Sequence, residues 1–296
     1  MPSKRVSHSA PLRELTLSVL MENTAAEGYA AEHGLSFLLE SDDAVVLFDT
    51  GQSGAFLDNA LRMGIDLSRV THIVLSHGHY DHTGGLDRAL GHIRSQKNEA
   101  DLPPVYAHPD TLLQRRRVTA EGTRDLGMPL ESRDALAAWP NVSFCKTPAY
   151  LTDSIVFLGE IPHAQPEMCV FVGEMEKDGI FTEDTLPDDS ALAFITNNGL
   201  VVVAGCSHSG IVNILEHAKK VTGISKIRAV YGGLHCKDMT PDTLQKACAA
   251  LKTERLEQLY ACHCTGNALD GFPGEVKLAA GERRALITAP PSPTAP

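Results

Sequence analysis

Within six residues, His77, His79, Asp81 and His82 bring three imidazoles and a carboxylate together in the spacing H-x-H-x-D-H. Packed this tightly with no counterion, these groups would repel one another or stay protonated. A divalent cation removes the conflict, and neutral imidazole with carboxylate is a ligand set suited to zinc, iron or manganese. His77 and His79 can point the same way from an extended segment, while Asp81 and His82 turn to a second position. One loop can therefore feed two metals a few ångströms apart, the arrangement used for metal-assisted hydrolysis.

The flanking sequence says how such a loop is held. Ile73, Val74 and Leu75 form an apolar, β-branched run that reads as a buried strand. Thr83, Gly84, Gly85 and Leu86 then turn into a helix. One loop cannot close two metal sites, so the missing ligands should lie at other strand ends, where α/β folds assemble their chemistry. His208 follows a strand expected over 200–204 through a Gly-Cys-Ser turn, and His263 follows one expected over 256–261. The expected metal set is therefore His77, His79, Asp81, His82, His208 and His263, holding two divalent ions. Zinc is the first expectation for them, with iron and manganese as alternatives.

Further elements follow from periodicity and turn signals. Leu15–Met21 alternates apolar and polar residues, and runs at 35–39 and at Val45–Phe48 are separated by an acidic turn. Helical spacing covers 56–63 and stops at Gly64. The charged stretch 115–139 reads as helices and loops laid over one face. Strands are expected at 142–145, 155–158 and 168–172. Asn198-Gly199 between two apolar runs signals a hairpin. Helices over 211–221 and 240–251 bracket a strand at 227–231. The Pro-rich tail 290–296 reads as disordered.

Composition sets limits. The chain has 296 residues, 43% of them apolar, and 37 acids against 26 bases give a net charge of −11. That balance argues against nucleic-acid binding through bulk charge. It leaves room for an anionic small substrate beside metal ions. Seven scattered cysteines suggest no disulfide framework and fit a reducing cytoplasm. The first twelve residues have no apolar core of a secretion signal, and no run approaches the ~20 apolar residues of a membrane span.

The H-x-H-x-D-H motif after a strand resembles the signature of the metallo-β-lactamase superfamily. The resemblance extends over about residues 15–266, through Asp49-Thr50-Gly51, Gly205-Cys206-Ser207-His208, Gly232-Gly233-Leu234-His235 and Cys262-His263-Cys264. These later motifs are similar to the branch that holds ribofuranosylaminobenzene 5'-phosphate synthase and dihydropteroate-synthase-like metal-dependent hydrolases. The resemblance implies an α/β fold, a four-layer αβ/βα sandwich, formed as one domain over 1–296 with a core of about 15–288. It implies a hydrolase that turns a metal-bound hydroxide on an ester, phosphoester, lactone or thioester, with Asp81 orienting the water. The alternatives are a synthase-like transferase in pterin metabolism and a metal-binding regulatory module without turnover. Diiron redox chemistry fits less well, because that group has Glu where His79 stands.

The chain also departs from the superfamily. The G-H-T-x-G segment is absent, and Gly205-Cys206 replaces the turn that usually carries a bridging aspartate. Either Cys206 ligates as a thiolate or His208 takes over; packing is the favoured reading for Cys206, and for Cys262 and Cys264 beside His263. His235, after two glycines, is assigned to substrate contact or proton transfer, and so joins Asp81 as a catalytic candidate. Asp49 is expected to hold a ligand histidine. Arg115, Arg116 and Arg117 read as a solvated face, though they are candidates to grip a phosphate. Glu183, Asp184, Asp188 and Asp189 read as a solvated loop. His163 ranks below the other histidines, and His8, His72, His92, His108 and His217 have no motif context.

Overall fold

The structure is a computed structural model that describes residues 11–287. His8 and the Pro-rich tail lie outside the described residues. Two sheets make the body. The first has seven strands in the spatial order Arg283–Ile287, Leu15–Met21, Ser36–Ser41, Val45–Phe48, His72–Val74, Val105–Ala107 and Val142–Phe144. The second has six: Gln258–Cys262, Ile227–Gly233, Gly199–Ala204, Ala191–Thr196, Ile155–Phe157 and Ala149–Tyr150.

Strand alternation builds the layers. Phe37, Leu39, Val46 and Phe48 of the first sheet meet Phe157, Phe194, Val201 and Val203 of the second in one buried cluster. The intervening residues point to the outer faces. Leu38 and Leu47 pack with Phe56, Leu90 and Ile93, from the helices Ala55–Arg62 and Leu86–Gln96. Val202 and Ala204 pack with Ile214, Leu215 and Leu251, from the helices Ile211–Thr222 and Pro241–Glu254. Helix, sheet, sheet and helix are thus stacked in four layers, as the motif pattern implied. No helix of the described residues is long and apolar enough to cross a membrane.

The parallel strands decide where chemistry can gather. Val45–Phe48, His72–Val74 and Val105–Ala107 run parallel in the first sheet, and Gly199–Ala204, Ile227–Gly233 and Gln258–Cys262 in the second. Ala204 lies beside Gly232, and Gly232 beside Ala261. The loops that begin at Gly205, Leu234 and His263 therefore leave the sheet side by side, at the carboxyl ends where α/β sheets take ligands.

Two expectations need correction. Residues 115–139 are not only helices and loops: Arg115–Thr119 and Gly122–Asp125 form a hairpin before the helix Leu130–Ala137. A second hairpin, Glu174–Lys177 with Ile180–Glu183, joins it as a separate four-stranded sheet. Most of these strand residues are exposed, so they lack the alternation that marks a half-buried strand. The strand expected at 168–172 is absent; a single 3₁₀ turn, Pro166–Met168, precedes extended chain. Its Val170 donates its amide to the His208 carbonyl and accepts from the His208 ring at Nδ1 instead of joining a sheet.

Candidate metal centre

The strand His72–Val74 delivers the first loop. Asp49, buried and at φ 57°, anchors it: the Ser76 amide donates to Oδ1 at 2.7 Å and the Ser76 hydroxyl to Oδ2 at 2.7 Å. His82 Nδ1 meets the same Oδ2 at 2.7 Å. Glycine is required at position 78, where a Cβ would stand 2.3 Å from the Thr111 carbonyl oxygen. It is required at position 34 as well, where a Cβ would meet the Asp81 carbonyl oxygen at 2.7 Å. The chain thus packs the motif from both sides by backbone approach.

His77, His79 and His208 offer donor atoms that lie within 4.8 Å of one another, all buried. His77 Nε2 faces His79 Nδ1 at 3.0 Å. His208 donates from Nδ1 to the Val170 carbonyl at 2.8 Å, so in its neutral form Nε2 carries a bare lone pair. Neither His208 Nε2 nor His79 Nε2 has a hydrogen-bond partner among the described residues, although both are buried. Burial pushes His79 down to about 3, and pushes His77 and His208 well below the ordinary imidazole range, with the neighbouring histidines adding to it. All three are neutral, which is the form that binds metal.

A second set gathers beside them. His263 fixes Nδ1 on the Asn23 side-chain oxygen at 2.9 Å and turns Nε2 toward Asp81 Oδ2 at 3.3 Å and His82 Nε2 at 3.2 Å. Burial opposes charge on both Asp81 and His82, yet each is overridden. His82, His263 and His33 hold the Asp81 carboxyl well below its usual range, and Asp49 and Asp81 lift His82 to about 9. Two imidazole nitrogens facing each other at 3.2 Å beside a carboxylate is a contact that needs a cation, a proton or an ion, to make it favourable.

Cys206 lies between the sets. Its sulfur is 3.1 Å from His82 Nε2, and it shares donor groups with His77, with His208 and with His263. Cys262 and Cys264 point apart: Cys262 joins the core between the sheets, whereas Cys264 faces Cys206 and takes the His235 amide at 3.3 Å. Burial alone would raise the Cys264 thiol, but hydrogen bonding from Cys206 and the charges of His235 and His263 hold it well below the thiol range. Cys206, buried and donating, is pushed well up. His235 lies tilted with its ring centroid 4.3 Å from that of His208, places Nδ1 2.9 Å from an Asp238 carboxylate oxygen as an ion pair, and lines a cavity of about 340 Å³ that opens onto both sets. Four of the seven described non-glycine residues at positive φ (Asp49, Ser207, His235 and His263) belong to these loops. Backbone strain of this kind gathers at functional sites.

The surroundings differ from the sequence reading in three ways. His33 reaches Asp81 Oδ2 at 3.1 Å and stacks on His263; only its place before a strand hinted at it. Arg115 is not on a solvated face but buried, paired through Nε with Asp184 at 2.8 Å and through its terminal nitrogen with Asp188. Asp184, Asp188 and Asp189 are buried too, and only Glu183 of that run is exposed. Asp188 Oδ2 accepts the Gly78 amide at 2.7 Å, and Ser190 donates its amide to the Ser76 carbonyl, so this run clamps the histidine loop. His163 stays outside the cluster, on the Ser209 hydroxyl at 3.2 Å.

Comparison with known proteins agrees with this fold. The metallo-β-lactamase superfamily model matches residues 30–96. An uncharacterised protein of Methanocaldococcus jannaschii is 32% identical over 84% of this chain and 90% of its own length. From the same organism, 7,8-dihydropterin-6-methyl-4-(beta-D-ribofuranosyl)-aminobenzene-5'-phosphate synthase is 31% identical over 82% of this chain and 86% of its own. The crystal structure of a metal-dependent hydrolase of the β-lactamase superfamily superposes with a TM-score of 0.75 at 30% identity, covering 91% of this chain and 98% of that one. With its histidine loop at the ends of parallel strands in a four-layer sandwich, this chain belongs to the metallo-β-lactamase superfamily.

Proposed function

We propose that this protein is a dimetal hydrolase acting on an ester, phosphoester, lactone or thioester. The observation that carries the reading is the pair of bare, buried nitrogens, His79 Nε2 and His208 Nε2, left without partners in a wall of neutral imidazoles. Leaving buried polar atoms unpaired costs about 1–3 kcal/mol each. A divalent cation removes that cost, so the residues fit the group. His77, His79 and His208 form one ligand set, and Asp81, His82 and His263 the other. Cys206 stands where it can serve both, which favours a ligand role for it over packing. Two divalent ions, zinc first among them, would supply a Lewis acid and a water acidified toward neutrality.

The chain's own groups do the rest. Asp49 orients His82 by holding Nδ1, and the Val170 carbonyl does the same for His208. Asp81, ionised between three histidines, orients the attacking water. His235, held by Asp238 at the cavity wall, is placed to return a proton to the leaving group. All seven cysteines are unpaired, which supports a reducing, cytoplasmic setting.

A second reading, a synthase-like transferase in pterin metabolism, is supported by the synthase relative, whose name joins a dihydropterin to a ribofuranosylaminobenzene phosphate. Metal analysis of the purified protein followed by a panel of phosphoester, lactone and thioester substrates separates the two. Bound metal together with hydrolysis that disappears in His77→Ala/His79→Ala is expected. Metal-free protein, or unchanged turnover in that variant, overturns the hydrolase.

A further inference from the structure

The small four-stranded sheet carries an arrangement that strand pairing alone disfavours. Arg117 and Arg124 stand directly opposite each other on the antiparallel strands Arg115–Thr119 and Gly122–Asp125. Partners in such a pair leave the sheet on the same face, and like charges there are destabilising. Both arginines, with Lys237 from the loop after His235, line the cavity over the histidine cluster. Period two explains the direction. Arg115 and Arg117 share one face of the strand, and Arg115 buries its guanidinium beside Gly78 of the histidine loop. Arg116 leaves on the other face, over the Phe181 ring at 3.6 Å and against Glu174.

The opposing charges are already committed. Asp238, the acid beside Arg117 and Lys237, is held by His235. Asp81 is shared among His33, His82 and His263. Arg124 donates to the Tyr80 hydroxyl and lies over its ring at 5.0 Å, which sets its direction without neutralising it. Neither Arg117 nor Lys237 forms an ion pair or a side-chain hydrogen bond among the described residues. A chain of net charge −11 thus places three cations at the mouth of one cavity.

We propose that Arg117, Arg124 and Lys237 grip the phosphate of a phosphorylated small-molecule substrate whose reacting bond reaches the histidine cluster. The proposal rests on the reading of that cluster as the reacting centre. Guanidinium forks match phosphate oxygens two at a time, and lysine adds a point charge. An anion between Arg117 and Arg124 turns their repulsion into a shared contact. The acidic balance of the rest of the chain favours a small ligand over a nucleic acid.

Calorimetric titration of the metal-loaded protein with glycerol 3-phosphate, and with glycerol as the neutral control, tests this. Arg117→Ala/Arg124→Ala should weaken phosphate binding by about tenfold or more, the loss of one or two charge-assisted hydrogen bonds, and Lys237→Ala by less. All three side chains are exposed, so fold and metal content should stay at the parent's values. The same titrations on chelator-treated protein read the rim alone, since phosphate also binds metals. Loss in the double variant there supports the rim even if the parent carries no metal and the hydrolase reading fails. Equal affinity of parent and double variant, with metal present in both, overturns the rim and leaves the hydrolase reading standing. Rim-dependent binding of single-stranded RNA without binding of glycerol 3-phosphate overturns the small-molecule assignment.

Discussion

Two clusters of buried polar groups lie on either side of Gly78, and they are built on opposite principles. Arg115 with Asp184 and Asp188 is complete: its guanidinium meets two carboxylates, and a spare carboxylate oxygen takes the Gly78 amide. The histidine cluster is incomplete. Its far nitrogens are anchored on Asp49, Asn23 and the Val170 carbonyl, while its near nitrogens converge on one another, on Asp81 and Cys206, or on nothing. A buried network whose charged groups find their partners within the protein is a structural fitting. One whose lone pairs converge unmatched is arranged for something the chain does not itself supply.

The largest expected effect strikes the incomplete cluster. His77→Ala/His79→Ala should abolish tight metal binding while the fold persists, read by metal analysis beside circular dichroism; a variant with full metal content would erase the distinction drawn above. Arg115→Ala should do the reverse. It leaves two carboxylates buried without their cation, at a cost of about 3–5 kcal/mol in denaturant unfolding, with the ligand residues untouched. An unfolding midpoint equal to the parent's would mean that the pair is not a fitting at all.

Asp49→Asn sharpens the border between the clusters, because Asp49 is a finished contact that serves the unfinished one. Metal affinity should fall by about 10–100-fold, measured by competition with a chromophoric chelator. Unaltered affinity would separate Asp49 from the centre. Cys206→Ser should lower metal affinity by about tenfold, and the cobalt-loaded protein should lose its sulfur-to-metal charge-transfer absorption. If that band survives in the serine variant, Cys206 is packing. The smallest effect belongs to Arg116→Ala, on the outward face of the same strand as Arg115: about 0.5–1 kcal/mol of stability, for an exposed pair and an aromatic contact. A loss as large as that of Arg115→Ala would show that burial does not set the difference between them.

The same contrast explains what could be read in advance. The motif residues His77 to His82 announce themselves by spacing, and His208 and His263 by standing after apolar runs that fold as strands. The helices and most strands of the sandwich follow from periodicity, because each buries one apolar face. What stayed hidden depends on pairing between distant residues. Arg115 is separated from Asp184 and Asp188 by 69 and 73 positions, and a charged run looks solvated until its partners are known. His33 is of the same kind, since its role comes from a carboxylate brought to it by the fold. The four-stranded sheet was invisible for another reason: exposed on both faces over much of its length, it carries no hydrophobic alternation to betray it.

Three successive arginines on one strand divide along its pleat into a root in the core, an outer brace and a hand at the cavity mouth. That division fixes where the molecule can be re-engineered. A hairpin from a relative with other substrate preferences can be transplanted if the splice begins at Arg116, because everything beyond it is exposed or faces the cavity. A splice one residue earlier carries away Arg115 and with it the support of Gly78. An insertion of one residue between Arg115 and Arg116 would turn the pleat over and exchange brace for hand.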